Sequence, residues 1–272
     1  MKNLTVKIIE VKNALSKSRI SEIDYTINPY FGCEFGCIYC YADFMTRFSK
    51  NYSVHFPGLK WGEFVGVKIN IHEKLREEIL KIESKIALFS DKRTRKPNIW
   101  LSIVTDPYQP IEKKFKLTRK CLEVLAEFQY PTGILTRSPL VMRDIDLFVG
   151  FEDLEIGITI TTDNENIRKI FEPKAPSIKS RIKTLEVLKK NNIKTFAFVG
   201  PILPMDAKKL SNLLDGLVDY VLVDRMNYIW KTEKIYKANS LEFATRDEYF
   251  NAVAEEISRQ FSSKGIEVEI LF

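Results

Sequence analysis

No stretch of the 272-residue sequence reaches the roughly 18 uninterrupted apolar residues that a membrane-spanning helix needs. The opening segment Met1-Lys2-Asn3-Leu4-Thr5-Val6-Lys7 lacks the long apolar core of a secretory signal. Cysteine is scarce: four residues, three of them crowded together, do not make the framework of a disulfide-stapled domain. These absences lead us to expect a cytoplasmic protein in a reducing compartment. Linkers, low-complexity tracts and repeats beyond a strand–helix alternation are also missing. The expectation is therefore a single domain over 1–272, with an N-terminal extension at 1–23, a core at 24–224 and a C-terminal helix and strand at 225–272. Apolar residues at 45% and aromatics at 12% are ample for a buried core. The net charge of +6 includes a basic stretch with Lys81, Lys85, Lys92, Arg93, Arg95, Lys96, Lys113, Lys114, Lys116, Arg119 and Lys120. Glu73, Glu77, Glu78 and Glu83 interleave with its start, so a solvated surface is favoured over a nucleic-acid track.

What the sequence does have is a concentration of thiols. In the segment from Asn28 to Ala42, Cys33, Cys37 and Cys40 follow a C-x3-C-x2-C spacing, with Gly32 and Gly36 before the first two. Cysteine otherwise behaves as a small hydrophobe that scatters through cores, so this crowding suggests a loop folded around a metal. The glycines permit positive φ, and Pro29 stiffens the approach. An iron–sulfur cubane that only carries electrons takes four protein ligands, so three thiolates leave one iron open. Open coordination positions are what catalytic metal sites keep for substrate. The same spacing is compatible with a zinc knuckle completed by His55, or with a redox disulfide between Cys37 and Cys40. An electron carrier would need a fourth cysteine nearby, and Cys121 is distant in sequence and expected to face the core.

The spacing, with Tyr39 just before the third cysteine, resembles the signature of the radical S-adenosylmethionine superfamily. Asn28-Pro-Tyr-x-Gly-Cys, Cys40-Tyr-Ala, Thr105-Asp-Pro-Tyr-Gln-Pro-Ile-Glu, Leu135-Thr-Arg-Ser and Glu172-Pro-Lys-Ala-Pro-Ser look like its spore photoproduct lyase-like branch, from Ile20 to Met205. The resemblance implies an enzyme that holds a [4Fe-4S] cluster on Cys33, Cys37 and Cys40. A reductant protein supplies an electron, and S-adenosylmethionine is cleaved to a 5'-deoxyadenosyl radical that abstracts hydrogen from an unidentified substrate. No catalytic side chain is singled out. The alternative from another class is a zinc-containing nucleic-acid-binding module without catalytic activity. Spore photoproduct lyase keeps a cysteine near the end of its second barrel strand, whereas Leu101 to Asp106 contains none. The resemblance is therefore not expected to extend to photoproduct repair, with Tyr108 the candidate for an alternative hydrogen donor.

The chain reads as α/β. Leu4, Val6 and Ile8 suggest an N-terminal edge strand, and Asp24 to Asn28 a first barrel strand from which the cysteine loop hangs. Phe44 to Gly66 is aromatic and irregular, suggesting a loop or lid over the cluster. A helix from His72 to Phe89, a strand over Ile99–Val104, a helix over Lys113–Phe128, and strands at Gly133–Thr136, Leu154–Thr161, Ile193–Val199 and Tyr220–Val223 follow. Ser177 caps one intervening helix, and Leu210, Leu213 and Leu217 mark another. Thr245-Arg-Asp-Glu248 reads as a capping box for a last helix, and Val268–Phe272 as a closing strand. Such alternation implies parallel strands. About six units match the partial (β/α)6 TIM-like barrel of the superfamily, with the cluster loop after the first barrel strand.

For the cosubstrate, the resemblance directs attention to strand ends. Tyr39 is placed to flank adenine. Ser102 and Thr105 lie near the end of the second strand. Asp106 stands where the superfamily usually has Gly-Gly-Glu, either accepting from the amino group or capping the turn before Pro107. Arg137, where related enzymes usually carry lysine, would pair with the carboxylate, next to Ser138. Thr159 and Thr161 share a strand face and are candidates for the ribose. Glu172 and Arg181 are candidates for a supporting ion pair near the site, with a surface pair the default.

Overall fold

The computed structural model describes residues 4–88 and 95–272. Met1 to Asn3, Phe89 at the expected helix end, and Lys92 and Arg93 of the basic stretch lie outside the described residues. The strands are β1 (Thr5–Ile9), β2 (Leu15–Lys17), β3 (Tyr25–Ile27), β4 (Tyr30–Phe31), β5 (Phe64–Lys68), β6 (Ile99–Leu101), β7 (Thr132–Thr136), β8 (Leu154–Thr159), β9 (Lys194–Val199), β10 (Tyr220–Val223) and β11 (Glu267–Ile270). They form two sheets, one of order β1-β5-β4 and one of order β11-β10-β9-β8-β7-β6-β3-β2.

In the large sheet β3, β6, β7, β8, β9 and β10 run parallel, β11 extends the parallel run, and β2 adds antiparallel to β3. Strands covered on both faces need side chains that tolerate burial throughout, and Ile99, Trp100 and Leu101 of β6 are all buried. Helices supply the outer cover. In Leu117–Glu127 the buried side is Leu117, Thr118, Cys121, Leu122, Val124 and Leu125, which places Cys121 in the core as its spacing predicts. The two ends of the sheet, β2 and β11, do not pair, so the architecture is an open partial barrel rather than a closed one.

Several boundaries differ from the sequence expectations for identifiable reasons. The helix expected over Lys113–Phe128 is two segments, Glu112–Phe115 and Leu117–Glu127, broken at Lys116 with φ of +52°. The break lets the Glu112 carboxylate accept from the first-turn N–H groups of Thr118 and Arg119, at 3.0 and 3.3 Å. The strand expected over Ile99–Val104 ends at Leu101 because Ser102 takes a left-handed φ of +61°. The capping box at Thr245 does not form: its hydroxyl donates to Glu242 O of the preceding 3-10 turn, and Arg246 stands at the N-cap of Asp247–Ser262 without a side-chain bond. Ser177 does cap its helix, accepting from Ser180 N at 3.2 Å.

The Phe44–Gly66 segment is more regular than a lid. It carries short helices at Met45–Phe48 and Lys50–His55 and then enters β5, buried between β1 and β4. Phe31, Phe56 and Phe64 cluster beneath it with ring centroids 4.8 to 6.1 Å apart. The N-terminal strand is thus an edge strand, but of this second sheet. Of the basic stretch, Arg95 pairs with Asp24, Lys96 with Glu83, and Arg119 with Asp144 and Asp146.

Candidate active site

The cysteine loop follows β4 and is gripped from several sides. Gly32 has φ of +86° and Gly36 of +50°. A Cβ on Gly36 would come within 2.8 Å of Gly62 Cα, so the loop and the turn before β5 approach at a distance no other residue allows. From the segment after β6, the fully buried Gln109 donates to Gly32 O at 3.1 Å and accepts from Glu34 N at 2.9 Å, holding the backbone on both sides of Cys33. Glu34 answers by accepting from Ile111 N, and the Tyr30 hydroxyl donates to the buried Glu112. At the far end Ile38 N donates to Phe171 O at 3.0 Å, and Lys231 reaches both Asp43 and Cys40 O.

This scaffolding puts Cys33, Cys37 and Cys40 on one wall of a cavity of about 400 Å³, the size of ordinary small-ligand sites. The same wall includes Tyr39, Ser102, Thr105, Asp106, Arg137 and Thr159. Ser138 and Thr161 are not among its lining residues. Ser138 accepts from Leu140 N and starts a 3-10 turn, while Thr161 donates to Glu172 at 2.9 Å. Ser102 donates to Ile27 O and Thr105 to Tyr30 O. Both Asp106 oxygens are engaged, one by Tyr108 N and Thr136 Oγ1, the other by Arg137 N. That is the turn-capping geometry. Tyr108 is fully buried with its hydroxyl on Asp144, outside the cavity lining, so it is not placed to donate hydrogen there.

Behind the wall lies a charged cluster that sequence defaults place at the surface. Glu172 and Arg181 are fully buried and paired with each other. Glu172 also accepts from the Tyr39 hydroxyl and from Thr161, and lies 2.9 Å from Arg137 Nη1. The default fails because the eight residues between the partners fold as a compact turn over 173–177 and the start of the helix Ile178–Lys190, which carries both inward; Arg181 further donates to Thr159 O and Pro176 O. Burial alone would raise the Glu172 carboxyl, but Arg181 and Arg137 outweigh it and hold it down at about 2.

Burial pushes all three loop thiols up, Cys37 to about 12 even with Arg137 beside it. Ligation requires thiolates, so loading the loop would release protons. Among the described residues no three histidine, cysteine, aspartate or glutamate side chains are grouped as a single metal ion requires, which leaves a zinc knuckle with His55 without converged ligands. Three thiols in one cavity lining suit instead a group that brings its own inorganic frame, and the donor set is that of iron–sulfur clusters. Trp61, from the aromatic segment expected over the cluster, lines the cavity, and Gln109 is a supporting residue that the sequence did not single out. For Gln109 the available signal was an uncharged amide between two prolines within the Thr105–Glu112 motif.

A family model described as the radical SAM superfamily matches residues 27–214. An uncharacterized protein of Methanocaldococcus jannaschii is 38% identical over 204 residues, covering 74% of this chain and 70% of the other. A radical SAM Nalpha-GlyT isomerase of Pseudomonas phage M6 is 25% identical over 177 residues, 65% of this chain and 32% of the isomerase. Among solved structures, spore photoproduct lyase complexed with dinucleoside spore photoproduct shares the fold, with a TM-score of 0.71 at 15% identity over 98% of this chain and 82% of that one.

Proposed function

The chain belongs to the radical SAM superfamily, and on that premise we propose that it is an enzyme that holds a [4Fe-4S] cluster on Cys33, Cys37 and Cys40 and binds S-adenosylmethionine in the adjoining cavity. The cluster, when bound, supplies the electron that cleaves S-adenosylmethionine to methionine and a 5'-deoxyadenosyl radical able to abstract hydrogen from a substrate. The chain's own residues do the positioning and exclude water. Three thiols lining one cavity with Tyr39 and Arg137, Cys33 and Cys37 buried and Cys40 half-buried, are the observation that carries this reading.

In this assignment Tyr39 flanks the adenine, its ring fixed by the bond from its hydroxyl to Glu172. Arg137, with Nη1 turned toward Glu172, offers the rest of its guanidinium to the cosubstrate carboxylate. Ser102, Thr105 and Thr159 supply polar edges. Asp106, whose oxygens are taken by the protein, orients Arg137 through its backbone N–H. Ser138 and Thr161 act from outside the wall, Thr161 by way of Glu172. Phe198 and the Asp224–Tyr228 loop, which also line the cavity, are left to meet the substrate. A separate reductant protein delivers the electron.

Anaerobic reconstitution with iron and sulfide, followed by reduction in the presence of S-adenosylmethionine, tests the proposal. The expected result is a brown protein that forms 5'-deoxyadenosine. Alanine at Cys33, Cys37 or Cys40 should abolish both properties, and Cys121→Ala, a core substitution away from the cavity, should retain them. A colourless protein that binds zinc, or cluster loss on Cys121→Ala but not on Cys33→Ala, would overturn the assignment.

A further inference from the structure

Arg137 leaves the end of β7 with its side chain directed into the cysteine loop. Its Nη1 lies 3.0 Å from Cys37 Sγ and 3.0 Å from the Tyr39 hydroxyl oxygen, and 2.9 Å from Glu172 Oε1. Its backbone N–H donates to Asp106 at 2.9 Å, which fixes the point from which the side chain departs. Glu172 cannot move to follow a wandering guanidinium, because Arg181, Thr161 and Tyr39 hold it from three other directions in a site without exposed surface. Arg181 also balances the Glu172 charge, so Arg137 is left as a positive charge beside Cys37, with the Asp106 carboxylate 4.0 Å from its Nε. That charge lies where little water screens it.

We propose that Arg137 is a positioning residue that donates a charged N–H hydrogen bond to the Cys37 sulfur and thereby sets the potential at which the group held by the three thiols accepts an electron, with Glu172 as the counter-charge that governs its strength. The inference rests on the reading of Cys33, Cys37 and Cys40 as cluster ligands. Hydrogen bonds to ligand sulfurs, local charge and burial are the protein's means of tuning such a potential. An electron added to the cluster raises the negative charge on its sulfurs, so a guanidinium N–H at Cys37 stabilises the reduced state more than the oxidised one. Arginine's planar guanidinium holds Nη1 against its three partners while its Nε lies 4.0 Å from Asp106; lysine would keep the charge but as a single ammonium on a differently shaped stem.

The test uses the full chain reconstituted anaerobically with iron and sulfide, without S-adenosylmethionine, and reads the midpoint potential by a redox titration followed by electron paramagnetic resonance. Arg137→Ala should shift the potential to more negative values, and Arg137→Lys should shift it less. Glu172→Gln should shift it the opposite way, to more positive values, because a negative charge is removed while both guanidinium groups remain. Opposite shifts at two residues in mutual contact distinguish charge from a general loosening of the site. Should Arg137→Ala assemble no cluster, the Arg137→Lys and Glu172→Gln pair decides by the same criterion. Potentials that stay unmoved, or that shift in one direction in both positions, overturn the inference while leaving the proposed function intact. A wild-type chain that takes up no iron and sulfide overturns both.

Discussion

Two buried glutamates hold the cysteine loop, one before its first thiol and one before its last, and their surroundings differ in an instructive way. Glu112 accepts from Tyr30 ahead of Cys33; its other partners are Arg143 and the backbone of Thr118 and Arg119. Glu172 accepts from Tyr39 ahead of Cys40; its other partners are Arg181, Thr161 and Arg137. Both use a tyrosine hydroxyl and an arginine. Glu112, Tyr30 and Arg143 are absent from the cavity wall, whereas Tyr39 and Arg137 form part of it. The first arrangement fastens the loop to a helix start. The second connects the loop to the place where chemistry would occur. A buried carboxylate can thus be a structural rivet or an electrostatic setting, and the identity of its neighbours decides which.

The largest expected effect that tests this contrast is Glu112→Ala. It strands the Tyr30 hydroxyl and two backbone N–H groups, at roughly 1–3 kcal/mol for each unsatisfied buried donor, while Arg143 keeps Asp144. Urea denaturation should show that loss of unfolding free energy; a loss under about 1 kcal/mol, typical of a surface change, would remove Glu112 from the structural role.

Acid comes next. The Glu172 carboxyl sits at about 2 in the folded chain against an ordinary value of 4.5, and each unit corresponds to about 1.4 kcal/mol. Its contribution, on the order of 3 kcal/mol, is fully present above pH 4.5 and is lost as the pH falls from there toward 2. Stability measured from pH 6 to pH 3 should therefore fall more steeply in the wild type than in Glu172→Gln. Parallel slopes would show that Glu172 is not held ionised by its arginines.

The smallest is Thr161→Val. It removes one hydrogen bond to a charged acceptor, at about 1.5 kcal/mol, and leaves the cavity wall unchanged. Iron and sulfide content after reconstitution should match the wild type. A large loss of cluster would place Thr161 in the binding site itself, erasing the distinction between wall and support.

The sequence made the strand–helix alternation legible because buried parallel strands such as Ile99–Leu101 and Tyr220–Val223 are short apolar runs between amphipathic helices, a pattern local enough to read directly. The thiol loop was legible for a similar reason, since its spacing lies within eight residues. β5 was not. Phe64-Val-Gly-Val-Lys68 becomes a strand only through pairing with β1, whose Thr5 lies opposite Phe64, and with β4. The Glu172–Arg181 pair was misplaced because sequence gives the distance between two charges along the chain and nothing of the solvent around them. Gln109 stands in the sequence only as an amide between two prolines; its role comes from two bonds to the backbone of a segment far from it along the chain, which residue type does not specify.

The contact between Gly36 and Gly62 makes two distant positions behave as one hereditary unit. Either can acquire a side chain only if the other segment withdraws, because the atom met is backbone rather than a flexible tip. Withdrawal of the 58–62 turn would carry Trp61, which lines the cavity, and the Gly62 carbonyl bound by Lys174. Drift at this pair is consequently constrained in both directions. A substitution tens of residues away from the cysteines, and making no contact with them through its own atoms, would be inherited as a defect of the thiol loop.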